Sequence, residues 1–173
     1  MLSRPVILLA AIIGILSASN ATASSITGDA QCKKGGFLTI AGNISVTNTS
    51  DHTYEMSEQE FRTLPATSIL TRTPWTMSAQ FAGPTLKSVL ERVGAQGASL
   101  ELSALDEFTI AVDRGFAEKY GMILATSRNG QDLTRRDFGP IFSVYPVDSH
   151  PEVLSVSTPV SQMVWQLCRI TVE

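Results

Sequence analysis

Histidine and cysteine are nearly absent from this chain, each occurring twice in 173 residues. His52 and His150 stand at no ligand spacing from either cysteine, so the sequence offers no zinc-binding cluster. There is no C-x-x-C, which excludes a thioredoxin-type redox site, and no C-x-x-C-H, which excludes covalent haem attachment. G-x-S-x-G and H-E-x-x-H are missing too, and with them the common hydrolase chemistries. Asp106 and Glu107 are adjacent and would point to opposite faces of a strand, so they do not cooperate as a pair. No catalytic residue can be named. Basic residues are thin, 13 Lys and Arg against 16 Asp and Glu, a net charge of −3. The pairs at 33–34 and 135–136 are isolated and read as solvated surface, so nucleic acid is not an expected partner.

What is present begins with a leader. Arg4 supplies a positive charge, residues 6–18 are continuously apolar, and "ATA" at 21–23 places small residues where a signal peptidase reads. The apolar run is shorter than the ~20 residues a spanning helix needs. A signal peptide over 1–23 is therefore expected, cut near Ala23–Ser24, with a periplasmic or secreted product. No later segment is apolar enough to span a membrane. In an oxidising compartment an even cysteine count makes a Cys32–Cys168 disulfide the expectation, with two free thiols the competing reading. A bridge closing so long a loop would contribute about 5 kcal/mol in the chain-entropy account, less any native strain.

Residues 24–36 read as a flexible leader and 37–173 as one domain. "FLTIAGNISVTNT" alternates as a strand with "AGN" as turn or bulge, and "TSILTRT" is a second strand ending at a loop. "MSAQFAG" is a short, edge-like segment. Ser57 followed by Glu60 is a capping box that starts a short helix over 57–64, stopped by Pro65. The clearest helix is 85–94, with Leu86, Val89, Leu90 and Val93 on one face and Gly94 to end it. "SLELSAL" and "FTIAVD" flank an acidic turn, and a short helix over 114–121 follows. "NG" at 129–130 marks a hairpin, and "FGPIFSVYPVD" and "VWQLCRITV" are the last strands. The stretch 145–160, with three prolines, reads as a long loop. The class is α+β: a mixed, β-rich sheet or barrel with about three short surface helices.

Several of these segments, in this order, resemble one family. "FAGPTLKSVLERVGA" is similar to the W-x-G-x-x-L-x-x-[VI]-L segment of the sulfite-oxidase-type molybdopterin-binding domain. "LDEFTIAV" resembles its Asp-x-[YF] strand, and "VWQLCRITV" its closing strand. "ILATSRNGQDLTRRDFGPIFSVYP" resembles its A-x-x-x-N-G-x-x-L segment, which ends in G-x-P-L-R. The resemblance implies a sulfite-oxidase molybdopterin-domain-like fold over 37–173, with molybdopterin as the family's cofactor. It also implies a cysteine thiolate ligand at the end of the second core strand. That position falls within Thr71–Thr73, where there is no cysteine, and a hydroxyl is a far poorer ligand than a thiolate. Where the family's arginine faces the pterin phosphate, this chain has Phe142.

Two departures at one site lead to the expectation of no cofactor and no metal. "TRTPWT" would line the former cofactor mouth, with Arg72 and Arg128 as anion contacts, Thr71, Thr73 and Asn129 as hydrogen-bonding groups, and Trp75 as a stacking wall. Each has a plainer reading: Trp75 as a plug under a loop, Arg72 as a solvent-facing residue, Asn129 as turn chemistry. The expected function is an extracytoplasmic ligand-binding or sensory accessory protein. It would take a small anionic ligand or serve a membrane sensor or redox partner. A molybdopterin-dependent oxidoreductase with atypical metal ligation is the alternative.

Overall fold

Alternating β-branched and apolar residues build most of the architecture, seen in a computed structural model that describes Cys32 and residues 36–173. The segment expected to be a signal peptide and most of the expected leader lie outside the described residues. One sheet has five strands in the order β2-β1-β11-β5-β6. They are β1 (Leu38–Gly42), β2 (Tyr54–Met56), β5 (Ser99–Ala104), β6 (Thr109–Asp113) and β11 (Leu167–Val172). β1 runs parallel to β11; the other pairs are antiparallel. A four-stranded sheet follows β3-β4-β8-β9, formed by β3 (Ala66–Thr73), β4 (Thr76–Pro84), β8 (Ser127–Arg128) and β9 (Gln131–Asp132). β7 (Ile123–Ala125) pairs with β10 (Phe142–Val144). No closed barrel forms among the described residues; the class is α+β and β-rich.

The helices start where their caps say they should. In α1 (Glu58–Thr63) the Ser57 hydroxyl accepts the Glu60 N–H at 3.1 Å, one arm of the capping box. In α2 (Leu86–Arg92) Thr85 accepts from Ser88 N–H, and Leu86, Val89, Leu90 and Val93 are fully buried. Asp113 caps α3 (Arg114–Lys119) through the Phe116 N–H at 2.6 Å. Cys32 and Cys168 are joined, their Cα atoms 5.6 Å apart, so the disulfide ties the leader to the central strand of the larger sheet.

Three expectations need correction. The first strand does not run to residue 49. It stops at Gly42, whose φ of 86° only glycine adopts easily and whose Cβ would lie 2.0 Å from the Val172 carbonyl oxygen. "MSAQFAG" is no short edge: it belongs to the nine-residue β4, paired on both sides. Residues 145–160 are not a bare loop. They fold into a 3-10 turn at Val147–Ser149, α4 (Pro151–Leu154) and α5 (Ser157–Ser161), so there are five short helices among the described residues where about three were expected.

Candidate functional site

β3 and β4 meet in a tight hairpin, Thr73 opposite Thr76, so Pro74 and Trp75 form its turn, not a loop. The hydroxyls of this strand end point to internal tasks. Thr71 is wholly buried; its Oγ1 accepts the Asp148 N–H at 3.3 Å and donates to the Arg72 carbonyl at 3.2 Å. Thr73 Oγ1 lies 2.9 Å from the Thr76 hydroxyl and accepts the Trp75 N–H at 3.3 Å. Asp148 takes the Arg72 backbone N–H at 2.9 Å and also pairs with its guanidinium. One carboxylate thus fastens the 3-10 turn to the end of β3.

Arg128 and Asn129 sit on the other hairpin, β8–β9. Asn129 (φ 53°) and Gly130 (φ 76°) have the left-handed turn geometry that "NG" favours. Asn129 Oδ1 accepts the Gln80 N–H at 2.9 Å and its own N–H returns to the Gln80 carbonyl at 2.7 Å, which extends the ladder to β4. Arg128 pairs with Asp137 at 3.0 Å and lies over the Phe138 ring, 5.7 Å from its centroid. The two arginines expected to contact an anion are therefore each matched with a carboxylate of the chain itself.

Between these groups runs an aromatic cluster. Phe142 is fully buried, stacked on Phe138 at 5.3 Å and edge-on to Phe81 at 5.8 Å. Trp75 touches it at 6.1 Å and packs against Trp165 at 4.7 Å, the two indoles inclined by 54°. Trp75 remains 44% exposed, so it serves both as a plug over Phe142 and as a wall open to solvent.

That open wall bounds a cleft of about 300 Å³, completed by Asp106, Phe108, Ser161, Met163, Val164 and Trp165. Three connections build it: the β3–β4 turn, the β5–β6 turn, and the segment between α5 and β11. Asp106 Oδ1 accepts the Phe108 N–H at 3.2 Å and so sets the acidic turn; Leu105 N–H reaches the Gln166 carbonyl at 3.1 Å and draws that turn toward Trp165. The segment 161–165 is held from beneath. Ser143, buried, accepts the Val164 N–H at 2.7 Å and donates to the Gln162 carbonyl at 2.9 Å. Tyr145 donates to Gln162 Oε1 at 3.1 Å. Burial raises the Tyr145 phenol above its ordinary range, with the nearby charge of Asp113 adding to the effect. Of the cleft residues, sequence reasoning named only Trp75 as a candidate. A smaller cleft of about 190 Å³ lies across the turn, lined by Arg72, Thr73 and Val147 and sharing Met163. A more open groove of about 580 Å³ runs beside α4 and α5, past Asp113, Phe116 and Glu152, and involves none of the predicted residues.

The donor set at the strand end does not fit a molybdenum–thiolate centre of the kind the family resemblance implies. Both cysteines are used in the disulfide, and the hydroxyls of Thr71 and Thr73 are engaged in hydrogen bonds. Among the described residues no three His, Cys, Asp or Glu side chains come together to hold a metal ion. Phe142, in place of the family's arginine, is inside the core instead of facing a phosphate.

No protein-family model matches this sequence, and no curated protein matches it significantly. Among solved structures the chain is similar to the crystal structure of the sulfane dehydrogenase SoxCD from Paracoccus pantotrophus, with a TM-score of 0.59 and 15% sequence identity. The match covers 79% of this chain and 38% of that one, so the chain spans well under half the length of this neighbour. At this identity the likeness is one of fold alone.

Proposed function

We propose that this chain is an exported ligand-binding accessory domain on a molybdopterin-oxidoreductase-like fold, working without a catalytic molybdenum. The observation that carries the reading is the state of the strand end. Within Thr71–Thr73, where the resembled family places its thiolate, Thr71 is buried with its hydroxyl holding the 3-10 turn in place, and the Thr73 hydroxyl is bonded within the hairpin. Space for a ligand exists instead beside Trp75, in a cleft at the lower end of the volumes that small-molecule sites occupy. In this reading the liganded domain serves a membrane sensor or a redox partner protein.

The test is elemental. The mature chain is purified from its own exported compartment, its molybdenum counted, and released pterin sought by fluorescence. The expected result is neither metal nor pterin. One molybdenum per chain would overturn the proposal and favour the second reading, an oxidoreductase with atypical ligation, which the fold likeness to a dehydrogenase supports.

A further inference from the structure

The cleft beside Trp75 has a chemical character that the accessory reading leaves open. Its walls are aromatic and aliphatic: Trp75, Trp165, Phe108 and Met163. The charged residue in that lining is Asp106, an exposed carboxylate at the tip of the β5–β6 hairpin, beside a second exposed acid, Glu107. Neither of the arginines expected to attract an anion lines it. The chain as a whole is net negative.

Aromatic faces carry negative potential at their centres and attract cations, most strongly when the cation is poorly hydrated. The Trp75 and Trp165 indoles, packed on each other with centroids 4.7 Å apart, both line the cleft, and Phe108, 45% exposed, adds a third ring to that lining. A carboxylate at the rim supplies long-range attraction and orientation. An anion would meet the opposite on every count: ring faces of the wrong sign, a rim carboxylate, and no cationic side chain in the lining. A fully neutral apolar ligand would gain nothing from Asp106.

Resting on the accessory reading above, we propose that this cleft binds a small organic cation of the quaternary-ammonium class, its alkylated nitrogen against Trp75 and Trp165 and its charge answered by Asp106. The cavity, about 300 Å³, suits a headgroup with a short tail and not a large ligand.

Choline is the probe. Titration calorimetry on the metal-free mature chain compares it with the neutral alcohol in which carbon replaces the quaternary nitrogen, a partner of the same shape without the charge. The expected result is saturable choline binding, with the neutral alcohol about tenfold weaker or more. Trp75→Leu keeps an apolar wall and removes the ring; it should weaken choline by about tenfold and leave the alcohol nearly unchanged. Asp106→Asn should weaken choline several-fold and flatten its dependence on salt. Circular dichroism confirms that each variant is folded. Equal binding of the two probes, no saturable choline binding, or choline binding indifferent to both substitutions would each overturn the assignment. These failures are separable from failure of the accessory reading, which is decided by molybdenum and pterin content alone.

Discussion

Thr71 and Trp75 lie within one turn of chain and have opposite surroundings. Thr71 is 0% exposed and its hydroxyl is committed on both sides, to Asp148 and to Arg72. Trp75 is 44% exposed and lines a cleft. The strand end on which the family resemblance focuses is thus closed at Thr71 by the protein's own side chains, while the roomier of the two flanking clefts lies outward, on the connections. Regular strands with paired backbones and filled interiors offer little room for new chemistry. Turns carried on them can diverge at small cost, and here three turns converge.

The sharpest way to break this contrast is to place at position 142 the charge that the resembled family carries there. Phe142→Arg would bury a guanidinium among Phe81, Phe138 and Trp75, and should cost more than about 4 kcal/mol, enough to prevent folding at ordinary temperature. Phe142→Leu, which keeps the site apolar, should cost far less. A stable, soluble Phe142→Arg protein would mean that the closed cluster is open to solvent after all.

Alkaline pH loosens the support under the cleft. The Tyr145 phenol is raised above its ordinary value of 10.0 by burial. A group whose pKa is raised on folding contributes stability that is fully present below the unfolded value and is lost as pH climbs past it. The urea midpoint should therefore begin to fall as pH rises past about 10 and keep falling above it, and Tyr145→Phe should flatten that fall. An unchanged slope in the variant would show that other groups govern the alkaline limb.

Thr71→Val retains shape and removes the hydroxyl, which leaves the Asp148 N–H without its acceptor; the expected loss is about 1–3 kcal/mol by urea unfolding. On the open side the effects shrink. Trp75→Ala should cost no more than about 2 kcal/mol because nearly half the residue is already in water. Arg72→Ala should cost less than about 1 kcal/mol, since its guanidinium is more than half exposed and Asp148 keeps its bond to the backbone N–H. A larger loss for Arg72→Ala than for Thr71→Val would reverse the assignment of closed and open sides.

Local signals in the sequence suffice where one short segment determines the outcome. Ser57 and Glu60, the apolar face of α2, and Asn129-Gly130 each specify their structure within a few residues, and each appears as expected. The Cys32–Cys168 bridge is the pairing expected from an even cysteine count and an expected oxidising compartment. Segments whose state depends on distant partners differ from their local signals. "MSAQFAG" reads as a short, edge-like segment, yet β3 and β8 pair with β4 on both sides. The prolines at 146, 151 and 159 suggested a loop, but Pro151 starts α4 and Pro159 lies buried within α5. The cleft was illegible for the same reason: Trp75, Asp106, Phe108 and Trp165 come from three connections, and only the tertiary fold brings them together.

Thiol accessibility measures the contrast most directly. Thr71→Cys and Trp75→Cys variants, each made in the disulfide-intact chain, are treated with a water-soluble maleimide under native conditions and again in denaturant. The account predicts rapid native labelling for Trp75→Cys and labelling of Thr71→Cys only on unfolding. Rapid native labelling of Thr71→Cys would contradict it, because the strand end would then be open to solvent and to a ligand.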